Sequence, residues 1–154
     1  MAFRTVGTED AAALAQLINR AFEVERPFFD GDRIDQDGVL AYLQRGKFLI
    51  AEDATGLAGC VYAEVRGETG YIGLLSVEPA RQGMGLGRRL MQAAEDFFQK
   101  VGCNTAELRM VSARAPLPGF YRYLGYSESR IEALPADAQP KVSCYFQYMT
   151  KKLV

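Results

Sequence analysis

Hydrophobic positions along the chain change period several times, and each change marks a predicted element. "AFRTV" reads as a short strand, and "TEDAAALAQLINRAFEVE" then sets Leu14, Leu17, Ile18 and Ala21 at the spacing of an amphipathic helix. Thr8 is placed to cap that helix, with Glu9 and Asp10 in its first turn. The polar, glycine-punctuated "RPFFDGDRIDQDG" follows, and a second short helix is predicted over roughly Gln36 to Arg45, carrying Val39, Leu40 and Leu43. From Gly46 the pattern becomes extended. "KFLIAED", "LAGCVYAEVRG" and "YIGLLSV" read as three strands joined by turns at "ATG" and near Gly67 to Gly70. Helical spacing returns with Leu86, Leu90, Ala93, Ala94, Phe97 and Val101 on one face, closed by Gly102. "NTAELRMV" is a further strand, "PGFYRYLG" a short helix with Pro118 in its first turn and Gly125 at its end. "YSESRIEAL" and "KVSCYFQYM" form a closing antiparallel pair.

The predicted order is strand, two helices, three strands, helix, strand, helix, two strands. That order implies a mixed α/β (α+β) domain with a mainly antiparallel sheet and one strand-helix-strand crossover. A length of 154 residues suits a single domain, with no internal repeat and no linker between folding units. The formal net charge of -1 gives no global pull toward nucleic acid or an anionic membrane, so any anion affinity must be local. No apolar run approaches membrane-spanning length. Cys60, Cys103 and Cys144 lie in apolar runs without metal-ligand spacing, as buried reduced thiols do, and a cytoplasmic location is expected. The chain has no histidine, which excludes Ser-His-Asp and Cys-His nucleophiles and histidine-based zinc sites. Acid and base must then come from Glu, Asp, Tyr, Lys, Cys or water, and no metal is expected.

One stretch breaks the rules of helix design. "VEPARQGMGLGRRL" puts Arg88 and Arg89 in the first turn of a helix that opens at Gly85, with Arg81 just upstream. That end of a helix carries exposed N–H groups and a partial positive charge, so acidic residues belong there. A bound phosphate or pyrophosphate reconciles the pattern, the glycines admitting backbone N–H groups to the anion. A plain glycine-rich turn with solvated arginines is the bland alternative. The nucleoside triphosphate loop is excluded because no Gly-Lys-Ser/Thr follows. The dinucleotide fingerprint fails too, because Gly83, Gly85 and Gly87 alternate outside any run of parallel β-α-β units.

"QGMGLG", Gln82 to Gly87, resembles the Q/R-x-x-G-x-G/A signature of the GNAT superfamily of acyl-CoA-dependent N-acyltransferases, and "GFYRYLGY" resembles its F-Y-x-x-x-G-F/Y landmark. The resemblance extends over the whole element order. It implies a GNAT-like twisted sheet flanked by helices, acetyl-CoA as co-substrate, and direct attack of an acceptor amine on the thioester. By position, the pantetheine arm would pair with the backbone of Leu75, Ser76 and Val77. The pyrophosphate would rest on Gln82, Gly83, Met84, Gly85, Leu86, Gly87 and Arg88. The Leu75 N–H is the implied oxyanion donor, and Tyr121 the implied proton donor to the leaving thiolate. Packing under the final hairpin is the alternative for Tyr121, and Tyr123 and Tyr126 are expected to be packing residues. Gly73, in mid-strand, fits a bulge or close backbone approach, a packing glycine being the alternative.

The general base is expected at Glu64, with Glu25 second, against the alternative of a solvated carboxylate or a water relay. Where many relatives carry asparagine seven residues before the tyrosine, this chain has Arg114. The acceptor is expected over the first two helices and the last hairpin, lined by Glu25, Phe28 and Phe29, with Glu25 free to pair with a cationic amine; a surface loop is the alternative. A small-molecule amine or peptide is the expected partner, with a homodimer as a further expectation from base rates. A non-catalytic acyl-CoA sensor of the same fold and an unrelated phosphate-binding module are the competing readings.

Overall fold

The computed structural model describes residues 1–154. In chain order the elements are β1 (Ala2–Thr5), α1 (Ala11–Ala21), α2 (Gln36–Arg45), β2 (Lys47–Asp53), β3 (Gly56–Arg66), β4 (Thr69–Val77), α3 (Leu86–Lys100), β5 (Thr105–Val111), α4 (Leu117–Tyr123), β6 (Ser127–Ala133) and β7 (Tyr145–Lys152). The seven strands form one sheet in the order β1-β2-β3-β4-β5-β7-β6. Every neighbouring pair is antiparallel except β4 and β5, which α3 joins as the expected crossover.

Helices cover both faces of the sheet. One apolar cluster packs Leu14, Leu17 and Ile18 of α1 and Val39 of α2 against Phe48, Ile50, Cys60 and Tyr62. The other packs Leu90, Ala94 and Phe98 of α3 against Ala51, Val61, Ala63 and Met149. Neighbours such as Cys60 and Val61 thus point to opposite faces, as the two-residue period of a strand requires. Each fully buried Leu, Ile or Phe stabilises the fold by about 1.5–3 kcal/mol before entropy is counted.

The register shifts at three places in the sheet, between β2 and β3, β3 and β4, and β6 and β7, and the shift in β4 is the one that shapes the site. The register of β4 with β3 passes from Tyr62↔Gly73 to Cys60↔Ser76, so Leu74 and Leu75 together oppose Val61. Leu74 takes φ 51°, a left-handed conformation unusual for leucine. This bulge sends Leu74 to the α1 side and returns Leu75 and Val77 to the α3 side. Gly73, singled out from sequence, stands immediately before it.

Four local expectations need correction. Thr8 does not cap α1: a turn of 3-10 helix covers Thr8–Asp10, and the Asp10 carboxylate accepts the Gly7 N–H at 3.1 Å. The buried face of α3 is rotated, with Met91, Glu95 and Phe98 inside while Val101 is exposed. Glu95 is retained there because Tyr126 Oη and Lys151 Nζ each donate to it at 2.8 Å, satisfying a buried carboxylate that apolar spacing alone cannot reveal. The last strand starts at Tyr145 rather than Lys141, whose N–H instead donates to Phe28 O at 2.7 Å. Tyr123 is 78% exposed and packs in no core, whereas Tyr126 is buried as expected.

Candidate functional site

The site is built where two strands part. β4 and β5 are in register only from Thr69↔Thr105 to Ile72↔Leu108, and beyond that point they have no partners in each other. The bulge lies just past the parting, so Leu74 and Leu75 lack register partners on β3 as well. A cleft of about 560 Å³ opens on the α3 side of the gap, and one of about 450 Å³ on the other. Phe22, Glu25, Gly73, Leu74, Arg109 and Met110 line both, so the clefts meet through the sheet.

The first cleft is floored by the glycine loop. Gly83 and Gly85 have φ 85° and 77°, and a Cβ added to either would meet no atom within 4 Å. Glycine is therefore demanded there by backbone conformation, and the space above it is open. The Arg89 N–H donates to Gly85 O at 3.2 Å, so the N–H groups of Leu86, Gly87 and Arg88 precede the first closed turn of α3. Leu75, Val77, Gln82, Gly83, Gly85, Leu86, Gly87 and Arg88 all line the cleft. Ser76 and Met84 do not: the Ser76 hydroxyl is buried, donating to Leu74 O at 2.9 Å, and the Met84 side chain is exposed.

The three arginines divide their work. Arg81 pairs with Asp53 and donates to Thr55 Oγ1 at 2.7 Å, while Arg89 stacks 4.8 Å from the centre of the Phe3 ring. Only Arg88 lines the cleft without an ion pair. A pyrophosphate fits this cradle, which offers unpaired N–H groups, one free guanidinium and open space.

Tyr121 lines the same cleft from α4, and its hydroxyl has no hydrogen-bond partner in the protein although the ring is buried. Burial pushes its phenol up to about 12, against which the nearby Arg114 charge acts only partly. The group is therefore protonated at neutral pH and available as a donor.

Glu64 does not reach either cleft. Its carboxylate accepts from Tyr62 Oη and Arg66 Nε, with Arg45 3.7 Å away. Burial raises its pKa, but those hydrogen bonds and cations together hold it below the usual carboxylate range. Glu64, expected from sequence as the base, therefore stands outside both clefts with its carboxylate committed to Tyr62 and Arg66. Glu25 is instead the one carboxylate common to both clefts. It sits in a 3-10 turn, Phe22–Glu25, that continues α1, and burial raises its carboxyl above the usual range despite Arg114 and Arg33. Arg114 reaches Glu25 Oε2 with Nη1 at 3.3 Å across a sequence separation of 89 residues. Glu25 is thus already paired, contrary to the expectation that it waits for a cationic amine. Of the two phenylalanines singled out from sequence, Phe29 lines the second cleft and Phe28 does not. Sequence reasoning missed Tyr42, Tyr71, Arg33 and Arg109 in that cleft, because they come from α2, β4, β5 and a loop with no shared motif.

Known proteins share the family pattern and the fold of this chain. Residues 11–126 match the family model described as Acetyltransferase (GNAT) family. Over 85 residues the chain is 31% identical to the mycothiol acetyltransferase of Clavibacter michiganensis subsp. michiganensis (strain NCPPB 382), covering 54% of this chain and 28% of that protein. The mycothiol acetyltransferase of Clavibacter sepedonicus is 28% identical over 93 residues, which are 60% of this chain and 31% of that protein. The chain thus spans under a third of the length of the curated relatives it matches. The yncA structure from Salmonella typhimurium, solved with its cofactor acetyl-CoA, aligns over 99% of this chain and 94% of its own, at TM-score 0.77 and 21% identity. The ribosomal-protein-S18-alanine N-acetyltransferase from Escherichia coli aligns over 99% and 93%, at TM-score 0.77 and 18% identity. At these identities the structural likeness is one of fold.

Proposed function

The chain belongs to the Acetyltransferase (GNAT) family, and from that premise we propose that it moves an acetyl group from acetyl-CoA to a primary amine of a small molecule or peptide. The observation that carries the reading is the meeting of two clefts at the parting of β4 and β5, one with an anion cradle and the other with aromatic walls. Acetyl-CoA supplies the activated thioester. The N–H groups of Leu86, Gly87 and Arg88, together with the Arg88 guanidinium, hold its pyrophosphate. The Leu75 N–H, beside the bulge, is the hydrogen-bond donor for negative charge developing on the carbonyl oxygen. Glu25, at the junction, takes the proton that an acceptor ammonium must lose before it attacks. Tyr121, protonated and unpaired in the donor cleft, gives a proton or hydrogen bond to the departing thiolate.

A covalent acyl-enzyme on cysteine finds no support. Cys60, Cys103 and Cys144 line neither cleft. Burial raises the thiol pKa of all three, so each resists forming the reactive thiolate.

Two measurements test the reading together. Acetyl-CoA is expected to raise the melting temperature while ATP and NAD do not, and amines are expected to release free thiol from acetyl-CoA. Binding without thiol release from any amine in a broad library would favour an acyl-CoA sensor instead. Stabilisation by ATP or NAD equal to that by acetyl-CoA would favour a general phosphate-binding module.

A further inference from the structure

Charges in the acceptor cleft do not cancel in the way their number suggests. Three carboxylates line it, and each already has a cation: Glu25 with Arg114 at 3.3 Å, Asp30 with Lys141 at 2.8 Å, and Asp32 with Arg26 at 2.9 Å. Two of its cations keep hydrogen-bond donors without partners. Arg33 has no ion pair, its guanidinium standing 5.5 Å from the centre of the Phe22 ring. Arg109 pairs through Nη1 alone, with Glu132 at 3.4 Å and Tyr148 Oη at 3.3 Å, and its guanidinium lies 3.9 Å from the centre of the Phe146 ring, so Nε and Nη2 keep no hydrogen-bond partner. The Tyr71 hydroxyl, in the same cleft, has no hydrogen-bond partner in the protein either. A polyamine entering here meets only carboxylates that each already hold a cation, whereas an anion finds an unpaired guanidinium at Arg33, unused donors on Arg109 and a phenol. Apart from Asn19, whose amide is spent on the Ile34 backbone, the rest of the lining is mainly aromatic and apolar, including Phe22, Phe29 and Phe146.

We infer that the acceptor is an amphoteric amine, a primary amine that also carries a carboxylate on an apolar body, as in an apolar or aromatic α-amino acid. The inference rests on the acetyltransferase reading and names the substrate class for the same site. Its amine lies toward Glu25 at the junction of the clefts. Its carboxylate is taken by Arg109 and Arg33, the planar Arg fork suiting two carboxylate oxygens. Acetylation removes the amine's positive charge and leaves the carboxylate, so the product keeps its anionic anchor.

The test compares matched acceptors, L-phenylalanine against phenethylamine and L-leucine against isoamylamine, with spermidine as the polycation, in a thiol-release assay. The carboxylate-bearing member of each pair is expected to have a kcat/KM about tenfold or more higher, a margin that charge-assisted hydrogen bonds supply. In Arg33→Gln and Arg109→Gln that preference ratio should collapse toward one, mainly through KM, and Arg109→Lys should restore part of it. Arg33 sits in an exposed loop, so its variant reads the effect even if the Arg109 variant is destabilised. Equal or better turnover of spermidine or the decarboxylated amines overturns the inference while leaving the acetyltransferase reading intact. If no amine releases thiol, the transferase reading fails, and calorimetry then decides the inference. Tighter binding of N-acetylphenylalanine than of N-acetylphenethylamine, lost in Arg33→Gln, supports an anion-accepting cleft, and equal binding contradicts it.

Discussion

The two clefts that meet at the parting of β4 and β5 are made in different ways. The donor side is largely backbone: two glycines in left-handed conformations, a bulge that turns Leu75, and the open first turn of α3. The acceptor side is side chain, gathered from α1, α2, β4, β5 and the segments after Phe29 and before β7. Backbone recognition tolerates few changes, because a wrong φ removes several N–H groups at once. Side-chain recognition is graded, each residue contributing its own contact. Substitutions on the two sides should therefore differ in kind.

The largest effect is expected on the donor side. Gly85→Val forces a β-branched residue into φ 77° at the start of α3. Losing two or more charge-assisted N–H contacts should raise the acetyl-CoA KM about 100-fold or more, with the acceptor KM changed far less. Initial rates with each substrate varied in turn would show this, and an equal rise in both KM values would break the distinction between the clefts.

Tyr121→Phe should lower kcat about 100-fold with little change in either KM. Because burial pushes this phenol up to about 12, wild-type kcat should show no alkaline fall near pH 10 from its ionisation. A fall centred there, and absent from the variant, would mean that the hydroxyl is solvated rather than held in the cleft.

Glu25→Gln is expected to cost about 10-fold to 100-fold in kcat, water relaying the proton in its absence. A base must be ionised, so the rate falls as pH drops through its pKa. With that pKa raised by burial, the acid limb of kcat/KM should lie above the ~4.3 of an ordinary glutamate. Arg114→Gln removes a cation that opposes the rise, so the limb should move to still higher pH. A limb that stays put, or moves lower, would remove Glu25 from the proton path.

The smallest effect is at Glu64, and it is one of stability. Glu64→Gln should leave kcat/KM within about twofold while costing about 1 kcal/mol through its bonds with Tyr62 and Arg66. The folded-state pKa of Glu64 is lowered, so its contribution is present above the unfolded carboxylate value and fades as pH falls through the folded one. Chemical denaturation of both proteins at pH 7 and pH 3 should show the gap narrowing at the lower pH.

The sequence disclosed the two sides unequally, for the same physical reason. Alternation and helical spacing placed every strand and helix in order, because burial against a sheet imposes those periods on contiguous residues. The glycine loop was legible since a backbone cradle must be written in consecutive positions, Gln82 to Arg88. The bulge showed only as Gly73, because a leucine at positive φ leaves no mark in composition. The acceptor side was poorly legible. Glu64 and Glu25 look alike as letters, and only the fold shows that Tyr62 and Arg66 occupy the first while the second faces both clefts. Arg114, noticed as a departure from the family's asparagine, gained meaning when Glu25 was found beside it.

At the centre of this account is the claim that donor and acceptor occupy adjoining clefts at the same time and react directly. Steady-state initial velocities, with acetyl-CoA varied at several fixed concentrations of a turned-over amine, test it without any variant. The account predicts double-reciprocal lines that intersect, the signature of a ternary complex. Parallel lines, which require the acetyl group to rest on the protein before the amine arrives, would contradict it.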